Sequence, residues 1–211
     1  TGVTALSPSD VWVFGGPGAF PGVGTWHFNG RSWQHVTSQP GNGIVTASAL
    51  SATNIWAIGS ATSPQDSLAH YTGRWHRVRA TALSGLSFNA ITAVSSHDVW
   101  AVGTPPAHPF QARLVHLTSK GWSRLRAPWR VDPTSLASDG AGGVWVLAQD
   151  SSAQWVLHRT AASAWSRTKI SSIGTLLRIA LIPGTRSLWG AGSAQASPVA
   201  NAAVWAKGRV G

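Results

Sequence analysis

Tryptophan recurs along this chain at a nearly constant interval, and this spacing restricts the possible folds more than any other feature. The five residues of the series lie 44, 44, 45 and 44 positions apart: Trp12, Trp56, Trp100, Trp145 and Trp189. Each lies in a short apolar segment, as in Asp10-Val-Trp-Val-Phe-Gly-Gly16. Repeats of about 40 to 50 residues built from strands are typical of β-propeller blades. The spacing therefore predicts a repeat protein made of blades.

Each interval contains four short segments with strand character, separated by turn residues. In the first interval these segments are residues 3–6, 11–15, 25–28 and 32–36. No useful length of the sequence has the 3.6-residue apolar period of an amphipathic helix. Turns typical of hairpins follow the third segment, at Asn29-Gly-Arg31, Thr72-Gly73, Ser119-Lys-Gly121 and Ala161-Ala-Ser163.

A second tryptophan series opens the fourth segment of the first four intervals: Trp33, Trp75, Trp122 and Trp165. A buried aromatic side chain removes about 150 to 250 Å² from water. We therefore expect two buried indoles per blade, packed between neighbouring sheets. The links between the first and second segments, such as Ser7-Pro-Ser-Asp10, are predicted to be tight turns closed by their polar side chains.

These patterns predict an all-β fold, a single β-propeller over residues 1–211 with about five four-stranded, kelch-like blades. The expected blade limits are residues 3–44, 45–88, 89–131, 132–176 and 177–211. The last blade is predicted to be incomplete, because no tryptophan-led fourth segment follows its third. We expect this chain to be one portion of a longer polypeptide, or a partner chain to supply the missing outer strand.

The residues also carry a family resemblance. Val13-Phe-Gly-Gly16 followed by Phe28 and Trp33 resembles the kelch repeat. The phrase Ser-x-x-Asp-Val-Trp-Ala-Val-Gly at residues 95–103 is similar to kelch-like propeller repeats of secreted actinobacterial and related bacterial proteins. The fourth repeat departs from this pattern because Leu147 and Ala148 replace its glycines. The resemblance implies a propeller and a secreted protein, and the family shares no single activity.

Composition excludes several kinds of chemistry. The chain has no Cys, which removes thiolate metal sites, cysteine nucleophiles and the Tyr–Cys group of copper-radical oxidases on kelch-type propellers. It has no Glu, and Asp10 and Asp98 belong to the repeated turn, so few carboxylates remain for acid–base chemistry. We expect no catalytic residues and no cofactor. A glycoside hydrolase-type propeller enzyme is the third of three hypotheses.

Histidine recurs in the third segment at His27, His70, His116 and His158, with Trp205 at that place in the fifth repeat. Equivalent residues on packed sheets are about 10 Å apart. Zinc ligands must each lie about 2 Å from one ion. We therefore expect no metal site, and histidines that are packed and hydrogen-bonded within each repeat.

Two sets of residues are candidates for binding. The fourth strands carry alternating cations that share one strand face, which predicts an anion-binding rim or protection of the strand edge: Arg77, Arg79, Arg124, Arg126, Arg167 and Lys169. The links expected on one face of the propeller carry aromatic and basic residues that the repeat does not require: Phe20, Phe88, His108, Phe110, Trp129 and Arg130. Exposed aromatics there would stack on sugars or pack against a protein.

The formal charge of +10 favours polyanionic partners. We expect a non-catalytic, extracellular or cell-surface binding propeller, lectin-like or cell-envelope-binding, with a carbohydrate or an anionic cell-surface polymer as ligand. The alternative is a protein–protein assembly module of a larger secreted complex. We do not expect a nucleic acid partner, and no apolar run approaches the 18 residues of a membrane span.

Overall fold

A computed structural model describes residues 2–15, 24–36, 43–59, 67–108, 111–125, 130–170, 174–182, 184–196 and 199–207. These residues form five antiparallel sheets, each built from strands that are consecutive along the chain. The strands follow one another along the chain in the order that the sequence repeat predicts. Four of the predicted binding residues lie outside the described residues: Phe20, Phe110, Arg126 and Trp129.

The first four sheets, called blades one to four, contain four strands each. Blade one has β1 (Gly2–Ser7), β2 (Asp10–Phe14), β3 (Thr25–Phe28) and β4 (Trp33–Val36). Blade two has β5 (Ile44–Ser51), β6 (Asn54–Gly59), β7 (Leu68–Tyr71) and β8 (Trp75–Arg77). Blade three has β9 (Ser87–Ser95), β10 (Asp98–Thr104), β11 (Arg113–Thr118) and β12 (Gly121–Leu125). Blade four has β13 (Asp132–Ser138), β14 (Val144–Gln149), β15 (Gln154–Arg159) and β16 (Trp165–Lys169).

Blade five has three strands in the described residues, β17 (Thr175–Leu181), β18 (Leu188–Ala196) and β19 (Val199–Lys207). The first strands of successive blades contact each other in the order β1, β5, β9, β13 and β17. This is the arrangement of a β-propeller, with first strands innermost and third or fourth strands outermost. The predicted all-β propeller with five blades and an incomplete last blade is confirmed.

The second strands of blades two to four are largely buried on both faces, because each of these blades lies between two neighbouring blades. In β10, Trp100 and Val102 face blade four, while Val99 and Ala101 face blade two. All four side chains are fully buried. A strand that is apolar on both faces can fold stably in a propeller interior, where neighbouring sheets cover both surfaces. We call the surface of each blade that meets the next blade its forward face, and the opposite surface its backward face.

The predicted hairpin turns between third and fourth strands are confirmed by their backbone. Gly30, Gly73 and Gly121 have φ angles of 88°, 88° and 97°. Glycine adopts this region without the steric cost that a Cβ brings. In blade four the equivalent turn contains Ser163, with a φ of 67°. Blade four therefore keeps the positive φ angle of this turn although Ser163 replaces the glycine.

The first tryptophan series is buried in the early blades and exposed in the last. Trp12, Trp56 and Trp100 are 1%, 4% and 0% exposed, because each forward face is covered by the next blade. Trp145 is half-buried against blade five. Trp189 is 45% exposed because, among the described residues, no blade covers the forward face of blade five. The expectation of a buried indole is wrong for this last member.

The second tryptophan series is less buried than expected. Trp75, Trp122 and Trp165 are half-buried, each packed against the forward face of the preceding blade. Trp33 is 49% exposed, because blade one has no blade behind it in the described residues. The second series therefore closes the outer margin of each interface between blades, and it is not fully buried.

Candidate binding surfaces

Each of the first four blades contains a stack of a second-strand tryptophan on a third-strand histidine. The ring centroids of Trp56 and His70 are 3.9 Å apart, and those of Trp100 and His116 are 3.7 Å apart. The two remaining pairs, with centroid distances of 4.3 and 3.8 Å, are Trp12 with His27 and Trp145 with His158. The two rings lie opposite each other in the antiparallel ladder, which places them on the same face of the sheet.

The histidine of each stack is fixed by a polar residue from the turn before the second strand. His27 Nε2 lies 2.9 Å from Asp10 Oδ1, and His116 Nε2 lies 2.8 Å from Asp98 Oδ1. In blade two the acceptor is Asn54, whose Oδ1 lies 2.9 Å from His70 Nε2. The prediction of packed, hydrogen-bonded repeat histidines is confirmed.

The turn itself is closed by serine. In blades two and three, Ser51 Oγ accepts a hydrogen bond from Thr53 N, and Ser95 Oγ accepts one from His97 N. The aspartate of the turn binds the third-strand histidine instead of the turn backbone. The turn prediction is therefore confirmed for serine, while the aspartate connects the turn to a more distant strand.

In blade four, Asp139 takes the place of the turn aspartate, which the sequence pattern did not reveal. It lies six positions before Trp145, whereas Asp98 lies two positions before Trp100. Its Oδ2 is 2.8 Å from His158 Nε2, and its Oδ1 accepts bonds from the backbone N–H groups of Ala141 and Gly143. A Cβ at Gly143 would collide with this carboxylate. The absence of a side chain at Gly143 therefore allows the Asp139 carboxylate to lie within hydrogen-bond distance of His158.

Burial and hydrogen bonding change the pKa values of these groups. Burial of Asp139 opposes its ionisation, but the bonds from His158 and the backbone outweigh burial and lower its pKa. Burial lowers the pKa of His116, against the opposing effect of Asp98. Burial also lowers the pKa of His70, with a smaller contribution from His76. The buried histidines of blades two and three are therefore stabilised in the neutral form.

No group of three or more His, Cys, Asp or Glu side chains able to hold a metal ion occurs among the described residues. The four repeat histidines lie in separate blades and bond to separate turns. In blade five the ladder places Ala206 opposite Trp189, and Trp205 lies opposite Gly190. The assignment of Trp205 to the histidine position is therefore wrong by one residue.

Phe88 is not available to a ligand, contrary to expectation. It is 8% exposed and belongs to β9, where it lies opposite Gly103. A Cβ on Gly103 would lie 2.9 Å from the Phe88 ring, so the glycine makes room for that ring. The side chain packs with Leu86 and Ile91 between blades two and three. Among the other described loop-face candidates, His108 and Arg130 are exposed.

The cationic rim takes part in contacts that hold the outer strands and loops. Arg124 of β12 donates through Nε to the carbonyl of Ala82 at 2.7 Å and through a terminal nitrogen to the carbonyl of Ser84 at 2.5 Å. Both carbonyls belong to the link between blades two and three. Arg167 of β16 lies over the ring of Trp155, with 4.6 Å between the guanidinium carbon and the ring centroid. The remaining described rim cations are exposed: Arg77, Arg79 and Lys169.

The described carboxylates all take part in local hydrogen bonds. Asp150 accepts bonds from Ser152, from the backbone of Ala153 and from Trp155 Nε1, and these bonds lower its pKa to about 2. Asp132 Oδ1 lies 3.4 Å from Ala112 N and connects blade four to blade three. Both groups hold loops in place.

β19 is the edge strand of blade five in the part of the chain that the structure describes. β19 pairs with β18 and lies at the edge of its sheet in the described residues, whereas the third strand of every other blade pairs on both sides. Its nine residues exceed the four to six residues of the other third strands. β19 contains one charged residue, Lys207, at its last position, and no proline. Sheet edges are usually protected by charge or proline, and β19 has such a residue only at its last position.

The sheet order and the contacts between first strands define this chain as a β-propeller. No protein-family profile matches the sequence, and no curated protein matches it. A solved structure, "YCF48 bound to D1 peptide", matches with a TM-score of 0.58 and 13% sequence identity. The match covers 90% of this chain and 59% of that one, so the chain spans about three fifths of its length. The likeness shows the fold. The described residues include no helix with the length and hydrophobicity needed to cross a membrane.

Proposed function

We propose that this protein is a non-catalytic scaffold that binds an extended protein segment along β19, the edge strand of blade five in the described residues. The observation that carries the proposal is the position of β19. It has nine residues of strand, a single charge at its end, and β18 as its ladder partner in the described residues. An extended peptide adding to such an edge gains main-chain hydrogen bonds.

The outer strands of blades two to four carry cations within the strand, whereas the one charged residue of β19 is at its end. β8 carries Arg77, β12 carries Arg124, and β16 carries Arg167 and Lys169. Exposed cations on an edge strand disfavour pairing with another chain. The similar propeller structure is that of YCF48 bound to D1 peptide, which is compatible with a protein ligand here. The local roles of the described carboxylates favour a protein that binds without catalysis.

The test uses a synthetic peptide with the sequence of residues 163–170, which includes the fourth strand of blade four. We expect it to bind the chain in a calorimetric titration, because it copies the strand that completes a blade. The same peptide with alternate backbone nitrogens methylated should not bind, since methylation removes the donors needed for strand pairing.

Two proline variants locate the site. Successive residues of a strand direct their N–H groups to opposite sides, so Ala202→Pro and Ala203→Pro remove donors from opposite edges of β19. One variant should abolish peptide binding with little loss of stability, and the other should destabilise the β18–β19 hairpin. Binding that survives both substitutions would contradict the proposal.

A secreted protein that binds an anionic cell-envelope polymer is the second candidate, favoured by the charge of +10. Binding of dextran sulfate as probe should weaken steeply with salt, since screening at physiological ionic strength acts over about 8 Å. It should also weaken in Arg77→Ala and Lys169→Ala, two exposed positions. Binding that is independent of salt would exclude this candidate.

A further inference from the structure

The tryptophan–histidine stack of blade two differs from the other three stacks at two neighbouring positions. The turn residue that binds the histidine is an aspartate in blades one, three and four, and it is Asn54 in blade two. The fourth-strand residue opposite the histidine is His76 in blade two. In the other blades that residue is uncharged: Gln34, Ser123 and Ser166. Blade two therefore lacks one negative charge and has a second imidazole.

Arg74 adds a cation to the same place. Its Nε donates a hydrogen bond to His76 Nε2, with 3.3 Å between the two nitrogens. Arginine has no acceptor, so Nε2 of His76 accepts the bond and Nδ1 carries the ring proton. Within the described part of the chain, the terminal nitrogens of Arg74 form no hydrogen bond or ion pair. Both residues are exposed, so the pair presents N–H donors to the solvent.

In the residues that the structure describes, no carboxylate binds this group. His70 accompanies His76 on the forward face of blade two, because the two lie opposite each other in the ladder. Blade three faces them with Trp122, which contacts Trp56 edge-on at 5.8 Å, and with Arg124. The neighbouring blade therefore adds a positive charge here and no negative one.

The electrostatic surroundings of the histidine differ between blades two and three as a result. Burial lowers the pKa of His70, and His76 lowers it further. Burial also lowers the pKa of His116, but Asp98 opposes that effect. A group that repels a proton from His70 also attracts an anion, so the charge pattern of blade two favours anion binding.

The stack itself does not require these two changes. Trp56 and His70 are 3.9 Å apart between ring centroids, and Asn54 binds His70 at 2.9 Å, much as aspartate binds the histidines elsewhere. The packing and the hydrogen bond are thus kept, while the charge is altered. Where a chain departs from its own repeated pattern with no structural gain, a functional role is expected.

We propose that Arg74 and His76 bind an oxyanion of a ligand, a phosphate or a carboxylate group, at the outer side of blade two. Arg74 supplies terminal N–H groups, whose fork geometry matches the oxygens of both groups. His76 supplies its Nδ1–H, and Asn54 in place of aspartate keeps a repelling charge away from the anion. The site belongs to blade two, so its test does not depend on strand addition at β19.

The first test follows NMR resonances of the wild-type chain as inorganic phosphate is added at constant ionic strength. The ring resonances of His76 and the backbone amide of Gly73 should shift and saturate at millimolar phosphate. Those of His97, on an exposed turn of blade three, should not saturate. Acetate replaces phosphate in a second titration, and the anion that saturates first is the group that the site prefers. Failure of both anions to saturate would overturn the proposal.

Two variants give blade two the residues of its neighbours. His76→Ser introduces the residue found in blades three and four, and Asn54→Asp introduces the aspartate of blades one and three. Other blades accept these residues, so the fold should survive, as a thermal melt would verify. Each variant, and Arg74→Ala, should bind phosphate about two- to fivefold more weakly by the Gly73 amide shift, the scale of an exposed charged contact.

Matched controls on blade three separate a site from general attraction. Lys120→Ala removes an exposed cation from the equivalent hairpin turn, and Ser96→Asp adds a negative charge to an exposed turn. Both variants should bind phosphate like the wild type. Equal weakening in Arg74→Ala and Lys120→Ala would show that net charge alone attracts the anion, and it would overturn the proposal. Unchanged binding in His76→Ser would do the same.

Discussion

The side-chain amide of Gln154 in blade four binds both backbone groups of Leu176 in blade five. Gln154 Nε2 donates to the Leu176 carbonyl at 2.9 Å, and its Oε1 accepts from Leu176 N at 2.7 Å. This geometry copies a pair of ladder hydrogen bonds between two blades that do not share a sheet. It fixes the position of β17 relative to β15 and so aligns the last interface.

Replacing Gln154 with Glu should therefore destabilise the chain. The carboxylate cannot donate to the Leu176 carbonyl and faces it unfavourably, which should cost about 1 to 3 kcal/mol. Urea unfolding would measure the difference. Gln34→Glu is the matched control, because Gln34 is an exposed residue of the outer strand β4 and lies opposite His27 in the ladder. Equal loss of stability in both variants would show that the Gln154 contact contributes nothing specific.

Trp→Phe substitutions should differ between blades two and three. Trp100 Nε1 donates to Asp98 Oδ1 at 2.8 Å, whereas Trp56 Nε1 is buried without a hydrogen-bond acceptor. Both substitutions remove similar apolar area, but Trp100→Phe also removes a bond to a charged group, worth about 1.5 to 3 kcal/mol. We expect the larger fall in unfolding free energy for Trp100→Phe. The opposite order would contradict this account of the stacks.

Stability should fall as the pH decreases below about 6.5. The pKa of His116 is lowered from 6.5 in the folded chain, so the unfolded chain takes up the proton first as pH falls. The stabilisation that neutral His116 provides is therefore complete above pH 6.5, and it is lost as the pH falls through the lowered pKa. Denaturant unfolding of His116→Gln should depend less on pH between neutral and mildly acid conditions. His97→Gln, on an exposed turn, should keep the wild-type dependence.

A second loss of stability is expected in more acid solution. The pKa of Asp139 is lowered from 3.8 in the folded chain, so its ionised form contributes stability above that value. This contribution disappears as the pH falls through the lowered pKa. Asp139→Asn should reduce the acid-range change, leaving the part that comes from Asp150 and the His116 change in place. An unchanged acid-range dependence in this variant would contradict the role of Asp139.

Ser163→Gly should stabilise blade four. Ser163 has a φ of 67°, a conformation that costs an ordinary residue about 1 to 2 kcal/mol. Glycine avoids that cost, although the variant loses an exposed bond to Arg159. We expect a small rise in melting temperature. Ala162→Gly, in the same turn with an ordinary backbone, should lower it, and a fall in both variants would argue against strain at Ser163.

The sequence predicted the propeller because its strongest signals are local and periodic. Trp56 and Trp100, the alternation around them and the turn glycines each act within one blade, where short-range rules suffice. The role of Asp139 was not predicted because four extra turn residues separate it from Trp145. Its contact with His158 depends on how this longer turn folds, which the spacing does not show.

The binding candidates were harder to predict because exposure depends on neighbouring blades. Phe88 was expected on a loop, but its strand begins earlier than its pattern indicates, and Gly103 opposite opens a space for its ring. Arg124 was expected to bind anions, but it binds carbonyls about 40 positions away. Neither contact follows from spacing along the chain.

The hydrogen bonds between blades have a consequence for how this chain folds. Ser48 binds Ala93 N across 45 positions, and Ser135 binds Ile179 N across 44. Each step of assembly therefore closes a loop of about one repeat, and the entropy of loop closure grows slowly with length. Folding can nucleate in any adjacent pair of blades and spread in both directions, as it does in linear repeat arrays. The amide hydrogens in the second strands of blades two to four, which neighbouring blades cover on both faces, should then be among the slowest to exchange.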